Sequence, residues 1–162
     1  MSKGVAQQLF DEHLVSGDSG RVGAEIEIRV NQVLLQDASG PMALLQFEAM
    51  EVKRVAQKIA VMYADHQTLQ MNHLHTEGHR FLLGFCQKHG IHFSKPGNGI
   101  CHNVHLETYA VPGESLAGTD SHTPQAGSAG MLAIGAGGLD VAAAMGEGTL
   151  IIQRPEIIEV HL

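Results

Sequence analysis

Apolar residues recur along this chain in two rhythms, the period of two typical of strands and the wider period of helices. Val5, Leu9, Leu14 and Val15 predict a first helix over residues 5–15, and Ser16-Gly17-Asp18-Ser19-Gly20 ends it as a polar loop. Glu25-Ile26-Glu27-Ile28-Arg29-Val30 alternates strictly and predicts a half-exposed strand. Val33-Leu34-Leu35 is a short apolar run that leads into Gln36-Asp37. Ser39 and Pro41 predict the cap and first turn of a helix carrying Met42, Leu45, Phe47, Ala49 and Met50, with the methionines as core filler. Lys58-Ile59-Ala60-Val61-Met62-Tyr63 reads as a buried strand, with Asp65-His66 just past its end.

Beyond a polar stretch over 67–76, Phe81, Leu82, Phe85 and Cys86 mark one face of a helix over 77–89, which Gly90 closes. Ile91-His92-Phe93 is a short strand, 95–99 a loop and 100–107 a short helix. Pro112-Gly113 then turns the chain into a strand over 115–119. Residues 127–145 predict small-residue helix and turn, and Ile158-Glu159-Val160-His161-Leu162 alternates like a strand. The chain stops on that run as though cut from a larger protein. Strands alternating with helices predict an α/β domain, three-layer α/β/α with a mostly parallel sheet, in one unit over 1–162.

Composition narrows the partners. Hydrophobic residues make up 44% and charged residues 17% of 162 residues, enough for one globular core. Net charge is −7 with 10 Lys and Arg and no basic stripe, so no nucleic-acid partner is expected. No apolar run approaches the roughly 20 residues of a membrane span, and the first eight residues lack the apolar region of a secretory signal. These features predict a cytosolic protein with reduced cysteines. Cys86 and Cys101 lack Cys-x-x-Cys spacing and cannot by themselves ligate a cluster or a structural zinc.

Candidate chemistry concentrates in Gly118-Thr119-Asp120-Ser121-His122-Thr123-Pro124, where a carboxylate, a hydroxyl and an imidazole stand side by side. Asp65-His66 at a strand end is a second candidate, since ligands of open α/β sheets bind there; a simple turn accounts for it equally well. His73-x-His75, His89-x-x-His92 and His102-x-x-His105 could each offer two metal ligands. With 11 histidines such pairs arise readily, and solvated or hydrogen-bonded rings are the simpler reading of His73, His75, His89 and His92. The glycine tract after Gly118 is neither a dinucleotide fingerprint, because Asp140 stands where the last glycine belongs, nor a P-loop. Gly17-Asp18-Ser19-Gly20 also occurs around the serine of chymotrypsin-like proteases, but a polar turn explains it here.

Taken together, Leu35-Gln36-Asp37-Ala38-Ser39-Gly40-Pro41-Met42-Ala43, Pro96-Gly97-Asn98-Gly99-Ile100-Cys101-His102 and Gly118–Pro124 resemble the aconitase family of iron–sulfur hydro-lyases, from about Gln8 to the C-terminus. The resemblance covers the first of that family's four domains. It implies that Gln36 and Ser121 hold substrate carboxylates and that Asp65 and His66 form an ion pair near the leaving hydroxyl. His102 would pair with Asp120 beside an iron-bound oxygen, and His122 would take a carboxylate from the next domain. It further implies a [4Fe–4S] cluster and a small tricarboxylate or hydroxy-acid substrate, citrate being favoured over isopropylmalate, with homoaconitase and methylaconitate hydratase left open. The family's cluster cysteines, substrate arginines and serine base lie in later domains, so this chain is expected to bind no metal or cluster and to be inactive alone. Partners would be the remaining domains or a partner subunit, with self-association through an exposed interdomain face. A free-standing binding or regulatory domain and a subunit of a split hydro-lyase are the alternatives.

Overall fold

The computed structural model describes residues 4–160. Helix α1 (Val5–His13) leads into strands β1 (Leu14–Gly17), β2 (Glu25–Arg29) and β3 (Gln32–Gln36). They are followed by α2 (Gly40–Ala49), β4 (Ile59–Tyr63), α3 (His73–His89), β5 (His92–Ser94), α4 (Cys101–Thr108) and β6 (Ser115–Gly118). A 3₁₀ segment (Thr123–Ala129), β7 (Leu132–Gly135), α5 (Gly138–Glu147) and β8 (Thr149–Gln153) complete the order.

Five strands form one parallel sheet in the order β5-β4-β3-β6-β7. The alternation of strand side chains divides two cores. Val33, Leu35, Ala60, Met62 and Ala117 face α2, α3 and α5 through Leu44, Phe47, Leu82, Phe85, Val141 and Met145. Leu34, Val61, Tyr63 and Leu116 face α4 and the 3₁₀ segment through Cys101, Ala126 and Met131. Both faces are covered, as a parallel sheet requires, and the result is the expected three-layer α/β/α architecture. The sequence then runs outward from β3 through β4 to β5 and returns on the other side of β3 to β6 and β7. The β3/β6 boundary is therefore the topological switch point, where the carboxyl ends of the strands open a crevice.

Several sequence expectations are corrected. The first helix ends at His13, and β1 pairs antiparallel with β2, so Leu14 and Val15 are strand instead of helix, and Ser16 and Gly17 strand instead of loop. Helix α3 starts at His73, four residues early, because the Asn72 side chain accepts the amides of Leu74 and His75 at 3.0 and 3.3 Å. Ser39 sits at the N-cap of α2, but its hydroxyl donates to the Thr119 carbonyl at 3.1 Å and ties α2 to the end of β6. Met42 and Met50 are exposed, not core filler, since α2 packs through Ala43, Leu44 and Phe47. The small-residue tract contains β7, and the closing strand is β8, which pairs with β2 over Thr149–Gln153. Residues 154–160 form no strand; Pro155, which lacks an N–H, follows the last pairing closely, while His161 and Leu162 lie outside the described residues.

Candidate active site

Four strand ends deliver the polar residues to one edge. Gln36 and Asp37 leave β3, Asp65 and His66 leave β4, Asp120 to His122 leave β6, and Gly135 to Gly137 leave β7. The turn after β6 is made by local packing. The Thr123 hydroxyl donates to the Asp120 carbonyl at 2.6 Å, and the His122 amide donates to the Asp120 carboxylate at 2.8 Å. Gly118 makes room for it: a Cβ there would collide with the Thr123 side chain. Across the switch point the Thr119 amide donates to the Leu34 carbonyl at 3.0 Å, which locks β6 against β3.

Asp120 is the centre of the cluster and is buried. Its carboxylate lies 3.7 Å from His66 Nε2, 3.5 Å from His102 Nδ1 and 3.6 Å from His122 Nδ1. Three imidazoles thus surround one carboxylate at ion-pair distance, and the His102 and His122 rings stack with centroids 4.7 Å apart. His102 Nδ1 is buried and makes no hydrogen bond. It stands within ion-pair distance of Asp120 without a hydrogen bond to it. His66 Nδ1 donates to Asp65 at 2.9 Å, and Asp65 in turn accepts the Cys101 amide at 2.7 Å. Burial alone would lower the His66 pKa; the hydrogen bond to Asp65 and the charges of Asp65, Asp120 and Asp37 outweigh it and raise the pKa. An open cavity of about 420 Å³ adjoins the cluster, lined by Thr119, Asp120, Ser121, Pro124 and the Gly135–Gly137 backbone.

The structure brings Asp65, His66, His102, Asp120 and His122 together, with Ser121 exposed at the rim, its hydroxyl 3.4 Å from His122 Nδ1. Gln36 is nearby but locally engaged. Its side-chain oxygen accepts the amides of Ala38 and Ser39 at 2.6 and 3.3 Å, so only the amide nitrogen is left to face a ligand. The other histidines separate from the site. His105, one turn from His102 on α4, is buried between Tyr63 and Gln32. His89 bonds the Lys53 carbonyl and stacks on Phe85, while His75 accepts the Met71 amide. Two residues escaped the sequence reading. Asp37 is wholly buried behind His66, and His79 bonds it at 3.0 Å. The available signal was a polar residue one turn before Leu82 on the apolar stripe of α3.

Donor atoms of Cys101, His102 and Asp120 lie within 4.8 Å of one another, as do those of Asp65, His66 and Cys101, so either trio could approach one cation. A [4Fe–4S] cluster is another matter. Cys86 is packed in the core between the helices and the sheet, and burial pushes its thiol up to about 12. Cys101 is buried, and desolvation with the neighbouring Asp65 raises its thiol as well. Two isolated, protonated thiols do not fit a cluster, which takes several thiolates.

Comparison with known proteins places the cluster in context. The family model described as aconitase family (aconitate hydratase) matches residues 7–162. The mitochondrial aconitate hydratase of Schizosaccharomyces pombe is 38% identical over 170 residues, which cover 97% of this chain and 21% of that protein. The mitochondrial aconitate hydratase of Candida albicans is 40% identical over 147 residues, 85% of this chain and 19% of that protein. That of Saccharomyces cerevisiae is 37% identical over 164 residues, 95% of this chain and 21% of that protein. The chain therefore spans about a fifth of the length of these relatives. Their names overturn the cytosolic expectation and point to mitochondria. Lack of an apolar secretory region does not bear on mitochondrial targeting, because transit peptides are amphipathic. With a family match over nearly its whole length, and with carboxylates and imidazoles gathered at the switch point of a parallel sheet, the chain belongs to the aconitase family.

Proposed function

We propose that this chain supplies one wall of an aconitase-type active site that removes and re-adds water on a hydroxy polycarboxylate, citrate and isocitrate being the favoured pair. The supporting observation is the convergence of His66, His102 and His122 on the Asp120 carboxylate at the open edge of the sheet. Loss of a hydroxyl requires a proton delivered to its oxygen. Asp65 holds His66 through Nδ1, and the surrounding carboxylates favour the protonated ring, from which Nε2 would offer a proton to an oxygen seated against Asp120. Asp120, flanked by the three rings, is placed to orient such an oxygen or to take the proton back on rehydration. Ser121 at the rim and the amide nitrogen of the buried Gln36 would hold substrate carboxylates.

In the full enzyme a [4Fe–4S] cluster would supply the Lewis acid for the hydroxyl. Its ligands must come from sequence beyond this domain, because neither cysteine here fits the role. Residues 1–162 would thus be a single domain, completed by further domains or a partner subunit and inactive alone.

Anaerobic reconstitution with iron and sulfide, followed by a citrate-to-isocitrate assay, tests this reading on the chain alone and within its complete open reading frame. The expected result is turnover by the complete protein only. Turnover by the isolated 162-residue chain would overturn the division of labour. A complete protein that takes up a cluster and leaves hydroxy polycarboxylates untouched would overturn the reaction.

A further inference from the structure

We propose that Asp37 and His79 are positioning residues that hold the Asp65–His66 pair in register with Asp120. The catalytic importance of that pair rests on the reading above; the mechanical link does not. The Asp37 side chain is fully removed from solvent and accepts four hydrogen bonds. Its Oδ1 takes the amides of His66 at 2.8 Å and Asp65 at 3.3 Å, and its Oδ2 takes the Gln67 amide at 2.9 Å and His79 Nε2 at 3.0 Å. Three consecutive amides converge on one carboxylate. The chain leaving β4 must wrap around Asp37, and that wrap fixes where the Asp65 and His66 side chains start.

His79 is itself held from outside. Its Nδ1 accepts from Gln70 Nε2 at 2.7 Å, and Gln70 Oε1 accepts the Thr76 hydroxyl at 2.6 Å. With Gln70 donating to Nδ1, Nε2 carries the hydrogen that reaches Asp37. The order is thus Thr76, Gln70, His79, Asp37, then the three amides. Packing alone gives no reason for it. Helix α3 buries Leu82, Phe85, Cys86 and His89 on one stripe, and an apolar residue at 79 would extend that stripe at no desolvation cost. A histidine there is explained by the carboxylate it serves. Removing its N–H leaves a buried carboxylate one donor short, and the loop is then free to relax toward solvent.

Amide hydrogen exchange, read by NMR on the full chain, tests the link without any assay of activity. His79→Leu is expected to speed exchange of the Asp65, His66 and Gln67 amides about tenfold or more, with Val61 to Tyr63 in β4 changed by no more than about twofold. His79→Gln, whose amide can still donate toward Asp37, is expected to restore most of the protection. Should the leucine variant fail to fold, Gln70→Ala loosens the outer end of the chain without touching the core. It should speed the same three amides about threefold. Unchanged exchange at those amides in the folded variants would overturn the proposal, and so would acceleration shared equally with β4.

In the complete enzyme, His79→Leu should lower kcat about tenfold with KM nearly unchanged, and His79→Gln should recover it. If the amides loosen and kcat holds, the catalytic reading of His66 fails while the positioning stands. If His66→Ala abolishes turnover and the amides ignore His79, the positioning fails while the reading stands.

Discussion

His105 and His66 are both drawn into hydrogen-bond networks of the same α/β domain, and their surroundings drive them in opposite directions. His105 sits on the buried face of α4, 1% exposed, with Nδ1 3.0 Å from the Tyr63 hydroxyl and Nε2 2.9 Å from Gln32 Oε1. The Gln32 amide passes its hydrogens on to the Tyr109 carbonyl at 2.9 Å and to Glu114 at 2.6 Å. Every partner His105 touches is neutral, so desolvation acts unopposed and lowers its pKa to about 4. His66 stands a third exposed among Asp65, Asp120 and Asp37, and the same desolvation loses to three carboxylates. The first network is closed: each hydrogen has an acceptor and nothing faces outward. The second leaves Nε2 of His66 aimed at Asp120 across 3.7 Å, beyond hydrogen bonding and open to a third party. The two rings differ both in burial and in the charge of their neighbours, and only His66 has carboxylates around it to offset desolvation.

The largest effect should appear on the open side. Asp120→Asn keeps the shape of the turn and removes the charge that the three imidazoles share. Turnover of the complete enzyme is expected to fall about a hundredfold or more, with the circular dichroism spectrum and unfolding midpoint nearly unchanged. An activity loss below about tenfold would dissolve the contrast, because the cluster would then be another structural network.

On the closed side the strongest test is pH. The folded pKa of His105 is about 4 against 6.5 for the free ring, so below 6.5 the unfolded chain takes up a proton that the folded chain refuses. Stability should therefore fall as pH drops from 6.5 toward 4, by about 3 kcal/mol over the window if this group acts alone. Urea midpoints between pH 7 and 4 measure the slope, and His105→Gln, which cannot titrate, should flatten it. An equal slope in that variant would assign the acid sensitivity elsewhere. A smaller effect comes from Tyr63→Phe. Losing the hydroxyl leaves His105 Nδ1 buried without a donor, and the expected cost is about 1–3 kcal/mol at neutral pH, read from the same unfolding curves.

The sequence exposed these two networks unequally. The strand ends, the motif from Gly118 to Pro124 and the helix caps are local signals. Strand ends and that motif pointed to Asp65, His66 and Asp120, while His102 joined them only through the resemblance carried by Pro96 to His102. Strand β4 and its buried run were legible because five apolar residues in a row suit a doubly covered parallel strand. Strand β7 was not, since Leu132-Ala133-Ile134-Gly135 is short and has no alternation, and Ala and Gly suit helix, turn and strand alike. Asp37 and His79 stand 42 residues apart and meet only because α3 packs over β3 and β4; no period or motif carries that contact. His105 illustrates the converse error. Its spacing from His102 suggested a shared ligand face, yet the two rings serve different networks one helical turn apart.

The smallest expected effect sharpens the comparison most, because its sign is the reverse of that for His105. The folded pKa of His66 is raised, so its contribution to stability is fully present below the unfolded pKa near 6.5 and is lost as pH rises through the folded value. His66 is partly exposed and water screens its carboxylates, so replacing it with asparagine should shift the unfolding midpoint only slightly. The shift should be destabilising at pH 5 and fade by pH 9. Urea titrations of both proteins at those two pH values make the check. A substitution that weakens the fold equally at both would mean that His66 contributes packing alone. A loss confined to low pH, beside the opposite acid response set by His105, would show one fold using the same side chain once to exclude a proton and once to hold it.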